Sequence, residues 1–179
     1  RITDVLGVGT QIQQWVLEGL PDEAFAIENA IIMDNSSRWP LMIDPQMQGW
    51  NWIKGQHKDG LDIIKPTMDI GEYEEAEINI TLGRPILLAD STETFDALIE
   101  PVLAKAVTTR GTSRQIKIGE DDIEYHDDFR FYITTKLSKP HFAPEVCVLV
   151  NILNMMVTET GLLDQICNQV VRHEDAKLM

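Results

Sequence analysis

The sequence predicts an α/β protein in which helices cover both faces of a mostly parallel central sheet. Short, continuously apolar runs, which are typical of strands buried on both faces, alternate along the chain with segments of helical periodicity. Parallel strands need crossover connections, and the connecting helices then lie on both faces of the sheet. The 179 residues suit one domain with a single sizeable core.

Chain-breaking residues and apolar spacing define the elements of the first half. Gly19 and Pro21 end the first helix, because both residue types interrupt helical structure. Leu41, Met42 and Ile43 form an unbroken apolar run, which is typical of a central strand. The expected elements are, in order, a helix over residues 10–19, a helix from residue 22 or 23 to 28, a short strand over 30–34, a buried strand over 39–44, a helix after the loop 45–49, a strand over 61–65 and a helix over 73–82.

The second half repeats this alternation and adds a hairpin. Gly83 ends the preceding helix before a second buried strand. Residues 115–125 alternate in polarity on both sides of a turn formed by glycine and acidic residues, which predicts a β-hairpin. The expected elements are, in order, a strand over residues 85–89, a helix over 95–107, the hairpin over 115–125, a third buried strand over 129–134, a fourth apolar strand over 146–153 and an amphipathic helix over 162–172.

Composition excludes several classes of partner. The net charge of −14, without a cluster of Lys and Arg, disfavours nucleic acid and an anionic membrane surface. No apolar run approaches the roughly 20 residues that span a bilayer. The four histidines lack the spacing of a zinc site, and Cys147 and Cys167 are expected to be buried, unpaired thiols. Because the first residue is not Met and no signal-peptide pattern follows it, a segment of a longer, non-exported protein is expected.

The loop after the strand over residues 39–44 lies where a parallel sheet would bind phosphate. The P-loop pattern for phosphate binding is G-x-x-x-x-G-K-[ST]. In this chain Asp44 stands at the first glycine, Gly49 keeps the second, and Trp50 and Asn51 replace the Lys and the Ser or Thr. The four intervening residues are Pro45, Gln46, Met47 and Gln48.

These replacements oppose phosphate binding. Loss of the Lys removes a charge-assisted contact of roughly 1.5–3 kcal/mol. Asp44 would place a like charge near a triphosphate, which costs up to about 4 kcal/mol at 4 Å in an effective dielectric of 20. Asn51 could still offer an oxygen to Mg²⁺. Considered alone, the segment fits an ordinary strand, loop and helix better than it fits a phosphate-binding loop.

Several strings of residues together identify a family resemblance. The most unusual is Arg-Trp-Pro-Leu-Met-Ile-Asp-Pro-Gln over residues 38–46, and Phe-Arg-Phe-Tyr-Ile-Thr-Thr-Lys-Leu covers residues 129–137. Shorter matches occur in the same order over residues 19–22, 27–32, 83–88, 98–103, 140–141, 144–146, 157–158, 161–162 and 164–165. Over about residues 10–175 the chain resembles the fifth AAA+ module of dynein heavy chains. Its residue strings are more similar to those of axonemal dyneins than to those of cytoplasmic dyneins.

The resemblance implies an AAA+ P-loop-type fold of three α/β/α layers with a β-hairpin insert. It divides the chain into an N-terminal helical segment (residues 1–30), a large-subdomain core with the degenerate P-loop (31–160) and a C-terminal helix (161–179). In the family this helix leads toward a lid subdomain and a strut. The family usually has Gly at the position of Met47, so close approach of phosphate is less favoured here.

The resemblance also assigns two further motifs. Ala89 and Asp90 stand at the second acidic motif, which is normally an Asp-Glu pair, so that one carboxylate at most remains. Thr134 and Thr135 stand where other AAA+ proteins have a polar sensor of the γ-phosphate. No catalytic residue, metal ligand or bound cofactor is therefore expected in this module.

The implied function is that of a non-catalytic element in a dynein motor ring, which links ring movements to the stalk of an ATP-driven, minus-end-directed microtubule motor. ATP and Mg²⁺ would bind other modules of the parent chain. The expected partners are neighbouring AAA+ modules, the stalk and strut coiled coil and, through the parent, the microtubule and other dynein subunits in the cytoskeleton of a cilium or flagellum. Two alternatives stay open, which are weak regulatory binding of ATP or ADP and a docking platform for a dynein subunit.

Overall fold

The structure, a computed structural model, describes residue 3 and residues 6–66, 70–111, 113–159, 161–163, 166–167 and 170–171. Helices and strands alternate along most of this chain. In order they are α1 (Gly9–Leu17), α2 (Ala24–Asn35), β1 (Trp39–Ile43), α3 (Gln48–Gln56), β2 (Asp62–Ile64), α4 (Ile70–Leu82), β3 (Ile86–Leu88), α5 (Glu100–Leu103), β4 (Val107–Arg110), β5 (Ser113–Ile118), β6 (Asp121–Glu124), β7 (Phe131–Thr135), α6 (Pro144–Leu149) and β8 (Val150–Asn154). Described residues between 159 and 171 are also helical.

The central sheet has five strands in the order β2-β3-β7-β1-β8, and every pairing in it is parallel. A separate antiparallel sheet contains β4, β5 and β6, in which β5 and β6 form the predicted hairpin with Gly119 in a left-handed turn (φ 61°). The prediction of a mostly parallel sheet with a hairpin insert is confirmed.

Alternate residues of the central strands serve two separate cores. Leu41, Ile133 and Leu88 face one core, into which α4, α5 and the small sheet also pack. Met42 and Tyr132 face the other, which is built with α1, α2 and α3. Both faces of the sheet are thus covered, and the predicted three layers are present. Within the described part of the chain, no helix is long and apolar enough to cross a membrane.

Two predicted elements of the N-terminal and middle regions are wrong. Residues 30–34 continue helix α2 rather than forming a strand, because no Gly or Pro interrupts the run and its apolar residues cover more than one helix face. The helix predicted over residues 95–107 is reduced to α5. Pro101 fits only a first helical turn, and the left-handed backbone of Lys105 (φ 48°) ends the helix before β4 begins.

The apolar run over residues 146–153, predicted as one strand, is divided. Pro144 at a helix start and Glu145 in the first turn favour α6, and only the second half of the run enters the sheet as β8. The prediction of buried thiols is also wrong, since Cys147 and Cys167 are both free and exposed. The C-terminal helix is confirmed for its described residues, whereas residues 164, 165, 168, 169 and 172 lie outside them.

Truncating Phe129 should strongly destabilise the fold. Its fully buried ring contacts Trp39 edge-on, at 5.8 Å between centroids, and Phe131 in a stacked arrangement. Phe129→Ala should lower the free energy of unfolding, measured by urea denaturation, by roughly 3–5 kcal/mol. Leu17→Ala, at a site that is 81% exposed, should change it by less than about 0.5 kcal/mol. Similar losses in the two variants would contradict this assignment of the core.

Candidate functional site

The carboxyl ends of β1, β3 and β7 bring the three sequence motifs together. The Asp44 N–H donates to the Thr135 carbonyl oxygen (2.8 Å), which extends the pairing of β1 with β7 by one residue. The Ser91 N–H donates to the Thr134 carbonyl oxygen (2.8 Å), and this bond joins the segment after β3 to the same edge. The loop, the acidic motif and the sensor-like threonines therefore lie side by side, as in a nucleotide site of a parallel sheet.

The side chain of Asp44 occupies the position in which the loop would hold an anion. One carboxylate oxygen accepts a hydrogen bond from the Gln48 N–H (2.7 Å), and the other accepts one from the Trp50 N–H (2.8 Å). The Gly49 N–H also interacts with this carboxylate. In a P-loop, N–H groups of the loop and of the helix N-terminus cradle phosphate. Here the protein's own carboxylate binds them.

Burial and hydrogen bonding act on Asp44 in opposite directions. The residue is only 2% exposed, and desolvation raises the pKa of its carboxyl above the usual 3.8. The N–H groups of Trp50, Gln48 and Gly49 lower the pKa and so offset part of this effect. The start of α3 adds a favourable dipole for the charged form. Asp44 is thus a buried acid with its own set of donors.

The loop backbone keeps a shape that suits glycine. Met47 has a left-handed conformation (φ 60°), which costs a non-glycine residue about 1–2 kcal/mol. Gly49 permits close packing, because a β-carbon there would lie 2.8 Å from the Met42 sulfur and 3.4 Å from an Asp44 carboxylate oxygen. The loop therefore combines a left-handed bend at Met47 with close packing at Gly49.

A small cavity lies beside the loop. Pro21, Gln48 and Met155 line a cavity of only about 10 Å³ between the loop and the segment that follows β8. This volume is at the lower limit for one water molecule. Gln46 adds a contact across the gap, since its side-chain oxygen accepts a hydrogen bond from the Val157 N–H (3.4 Å).

The tryptophans and Asn51 have distinct surroundings. Trp39 and Trp52 are core residues, and Trp52 meets Trp15 edge-on at 5.9 Å between ring centroids. Trp50, which stands at the P-loop Lys position, is half-buried against the core that contains Trp52. The Lys54 ammonium lies 5.0 Å from the Trp50 ring centroid. Asn51 is exposed, and its N–H is used within the helix.

The remnant of the acidic motif forms an ion pair within the chain. The Lys136 ammonium lies 2.9 Å and 3.0 Å from the two carboxylate oxygens of Asp90, whose backbone is left-handed (φ 57°). Both side chains are about half exposed, so the pair contributes about 1 kcal/mol or less. Ala89, at the preceding motif position, is buried and offers no ligand atom. A cation at this edge would have to compete with Lys136 for the carboxylate.

The sensor-like threonines are also engaged. The fully buried Thr135 hydroxyl donates to the Ser91 carbonyl oxygen (2.7 Å) and accepts from the Leu137 N–H (3.3 Å). Thr134 is 5% exposed, and its carbonyl oxygen accepts from the Ser91 N–H. The Thr135 hydroxyl is therefore used within the protein, and Thr134 contributes its backbone carbonyl.

Sequence reasoning placed the motif residues but missed Lys136 as the partner of Asp90. A signal for this pair exists, because Asp90 follows β3 closely, Lys136 follows β7 directly, and these neighbouring parallel strands end at one edge. The capture of the loop N–H groups by Asp44 was also missed. An acid four residues before the helix start is compatible with capping, but the left-handed bend at Met47 that aims it is not visible in the sequence.

The parallel sheet, its three layers and a P-loop-shaped connection after β1 define an α/β module of the AAA+ type. Comparison with known proteins identifies the family, because residues 13–179 match the family described as "ATP-binding dynein motor region". The chain belongs to this family of dynein motor regions.

Named relatives agree over nearly the whole chain. It is 44% identical to dynein axonemal heavy chain 6 of Homo sapiens over 178 residues (99% of this chain), and 42% identical to dynein axonemal heavy chain 3 of Mus musculus over 178 residues (99%). It is 41% identical to the dynein beta chain of the flagellar outer arm of Chlamydomonas reinhardtii over 176 residues (97%). The chain spans about 4% of the length of these curated relatives.

Removing the Asp44 carboxylate should destabilise the loop. Asp44→Ala leaves the N–H groups of Gln48, Gly49 and Trp50 without their acceptor, so the free energy of unfolding should fall by about 1–3 kcal/mol. Asp59→Ala, which removes an exposed carboxylate in the turn after α3, is the matched control and should change it by less than about 0.5 kcal/mol. Equal effects in urea denaturation would show that Asp44 is not a structural acceptor.

Asp44 also predicts a pH dependence of stability. Because burial raises its pKa in the folded state, the folded protein binds this proton more tightly than the unfolded chain does. The stabilising contribution is therefore complete below about 3.8 and is lost as the pH rises through the raised pKa. The difference in unfolding free energy between wild type and Asp44→Asn should fall over that range and stay level above it. A difference that rises with pH would contradict the assignment.

Proposed function

We propose that this chain is a non-catalytic AAA+ module, the fifth in the motor ring of an axonemal dynein heavy chain, and that its role is structural and transmissive. The observation that carries the proposal is that the Asp44 carboxylate accepts hydrogen bonds from the N–H groups that would otherwise bind phosphate. Membership of the dynein motor region family and the position-by-position likeness of residues 38–46 to the fifth module support the rest.

Nucleotide would have to break existing interactions before it could bind. Hydrogen bonds to a charged group are worth about 1.5–3 kcal/mol each, so the loss of even one lowers affinity by about tenfold or more. A phosphate that entered without moving Asp44 would instead meet its negative charge at close range. Trp50 carries no positive charge, so it cannot offset the lost hydrogen bonds or the repulsion between Asp44 and phosphate.

Hydrolysis lacks its remaining participants as well. Asp90 is paired with Lys136, and the Thr135 hydroxyl is bonded within the protein, so neither is free to position Mg²⁺ or an attacking water. ATP and Mg²⁺ are therefore assigned to other modules of the parent chain. This module neither turns over nucleotide nor holds a resident cofactor.

The proposed partners are the neighbouring AAA+ modules and the stalk and strut coiled coil, through which ring movements reach the microtubule-binding end of a minus-end motor. The relatives are named as axonemal and flagellar dyneins, which supports a place in the cytoskeleton of a cilium or flagellum. Contacts with the microtubule and with other dynein subunits are assigned to the parent chain.

Freeing the loop N–H groups and restoring the lysine should create phosphate binding. Wild type should give no heat of binding with millimolar Mg²⁺–ATP in titration calorimetry. The double variant Asp44→Gly/Trp50→Lys regains the donors and the cation, and its affinity for pyrophosphate and for ATP should rise by about tenfold or more.

Trp50→Lys alone is the matched control, since it adds the cation but leaves Asp44 on the donors, and it should remain close to wild type. Circular dichroism checks that each variant is folded. Binding of ATP by the wild type at micromolar concentration, or turnover of ATP by it, would refute the proposed function.

A further inference from the structure

Outside the loop, a polar cleft lies at the opposite, amino-terminal edge of the central sheet. It has a volume of about 350 Å³ and lies between the end of α2 and the starts of β1 and β7. Its charged walls come from Asp34, Arg38, Lys105 and Arg130, and the buried Trp39 contributes to its base. Nothing in the proposed ring function uses these residues.

Positive charge is concentrated here in a strongly acidic chain. Three cations line the cleft against one carboxylate, although the whole chain carries a net charge of −14. The single carboxylate, Asp34, accepts a hydrogen bond from the Gln11 side chain (3.0 Å). Among the described residues, none of the three cations forms a salt bridge. The cleft therefore keeps an uncompensated positive charge.

Two of the cations are held in place by groups that do not neutralise them. The Lys105 ammonium lies 3.6 Å from the Trp39 ring centroid and donates to the Ser37 carbonyl oxygen. The Arg130 guanidinium donates to the carbonyl oxygens of Asp127 (3.1 Å) and Phe129 (2.9 Å). Such fixed side chains lose little conformational entropy when a ligand binds.

The cations also act on one another. Burial and, after it, the charge of Arg130 lower the pKa of Lys105 below its usual value. Arg38 and Arg130 are exposed, so they lie at the rim rather than inside an enclosed pocket. Small ligands are usually buried over most of their surface, whereas exposed charges at a rim are typical of protein interfaces.

We propose that this basic cleft, formed by Arg38, Lys105 and Arg130, binds an acidic protein segment that presents two or more neighbouring Asp or Glu side chains. Two arginine forks suit carboxylates, which they can bind bidentately, and the fixed lysine supplies a third contact. Because the chain as a whole carries a net charge of −14, this local excess of cations favours the cleft as the place where a polyanion associates.

The test measures fluorescence anisotropy of a labelled hexaglutamate peptide with wild type and with two double variants. Arg38→Glu/Arg130→Glu reverses two charges of the cleft and should weaken binding by about tenfold or more. Arg84→Glu/Lys117→Glu, at exposed positions away from the cleft, gives the same net charge and should bind nearly as wild type does. Thermal unfolding checks that both variants are folded.

A second arm replaces the peptide with pyrophosphate. Peptide binding that falls with salt and is lost only in the cleft variant supports the proposal. Equal loss in both variants, or no binding of the peptide by wild type, overturns it. Pyrophosphate binding that is lost in Arg38→Glu/Arg130→Glu, in the absence of peptide binding, also overturns it, since the cleft would then take a small phosphate ligand. None of these outcomes depends on whether the P-loop relic binds ATP.

Discussion

The carboxylate of Asp44 lies on the N–H groups at the start of α3, and the proposed role of this module follows from that contact. A helix N-terminus after a parallel strand attracts anions, so the position requires either a ligand or a substitute for one. Here the substitute is the Asp44 carboxylate, which is part of the loop and so loses none of the translational freedom that a separate phosphate would lose on binding. On the proposed function, the loop is complete without nucleotide.

The same arrangement recurs along the carboxyl edge of the sheet. Asp90 is paired with Lys136, and the Thr135 hydroxyl is bonded to Ser91, so that both groups have partners within the chain. A ligand shifts a conformational equilibrium only through different affinities for its states. On the proposed function, a module without a ligand has no such switch of its own, and its movements are imposed through its contacts with neighbours.

Sequence reasoning predicted the sheet well because its central strands are unbroken apolar runs. The residue strings that carry the family resemblance added the order of the motifs. It failed where apolar runs allowed two structures. Residues 30–34 are apolar on several sides and continue a helix, while the run that contains Val146 is divided because Pro144 begins a helix. Hydrogen bonds between side chains and backbone were harder to predict from the sequence. The bond from the Gln48 N–H to the Asp44 carboxylate, for example, depends on the backbone bend at Met47.

A crystal structure of the wild-type chain soaked with millimolar Mg²⁺–ATP tests the central claim most directly. The account predicts that the Asp44 carboxylate stays within hydrogen-bonding distance of the Gln48 and Trp50 N–H groups and that no phosphate density lies between Gln46 and Asn51. Clear triphosphate density in that loop, with the Asp44 side chain rotated away from the helix N-terminus, would contradict it.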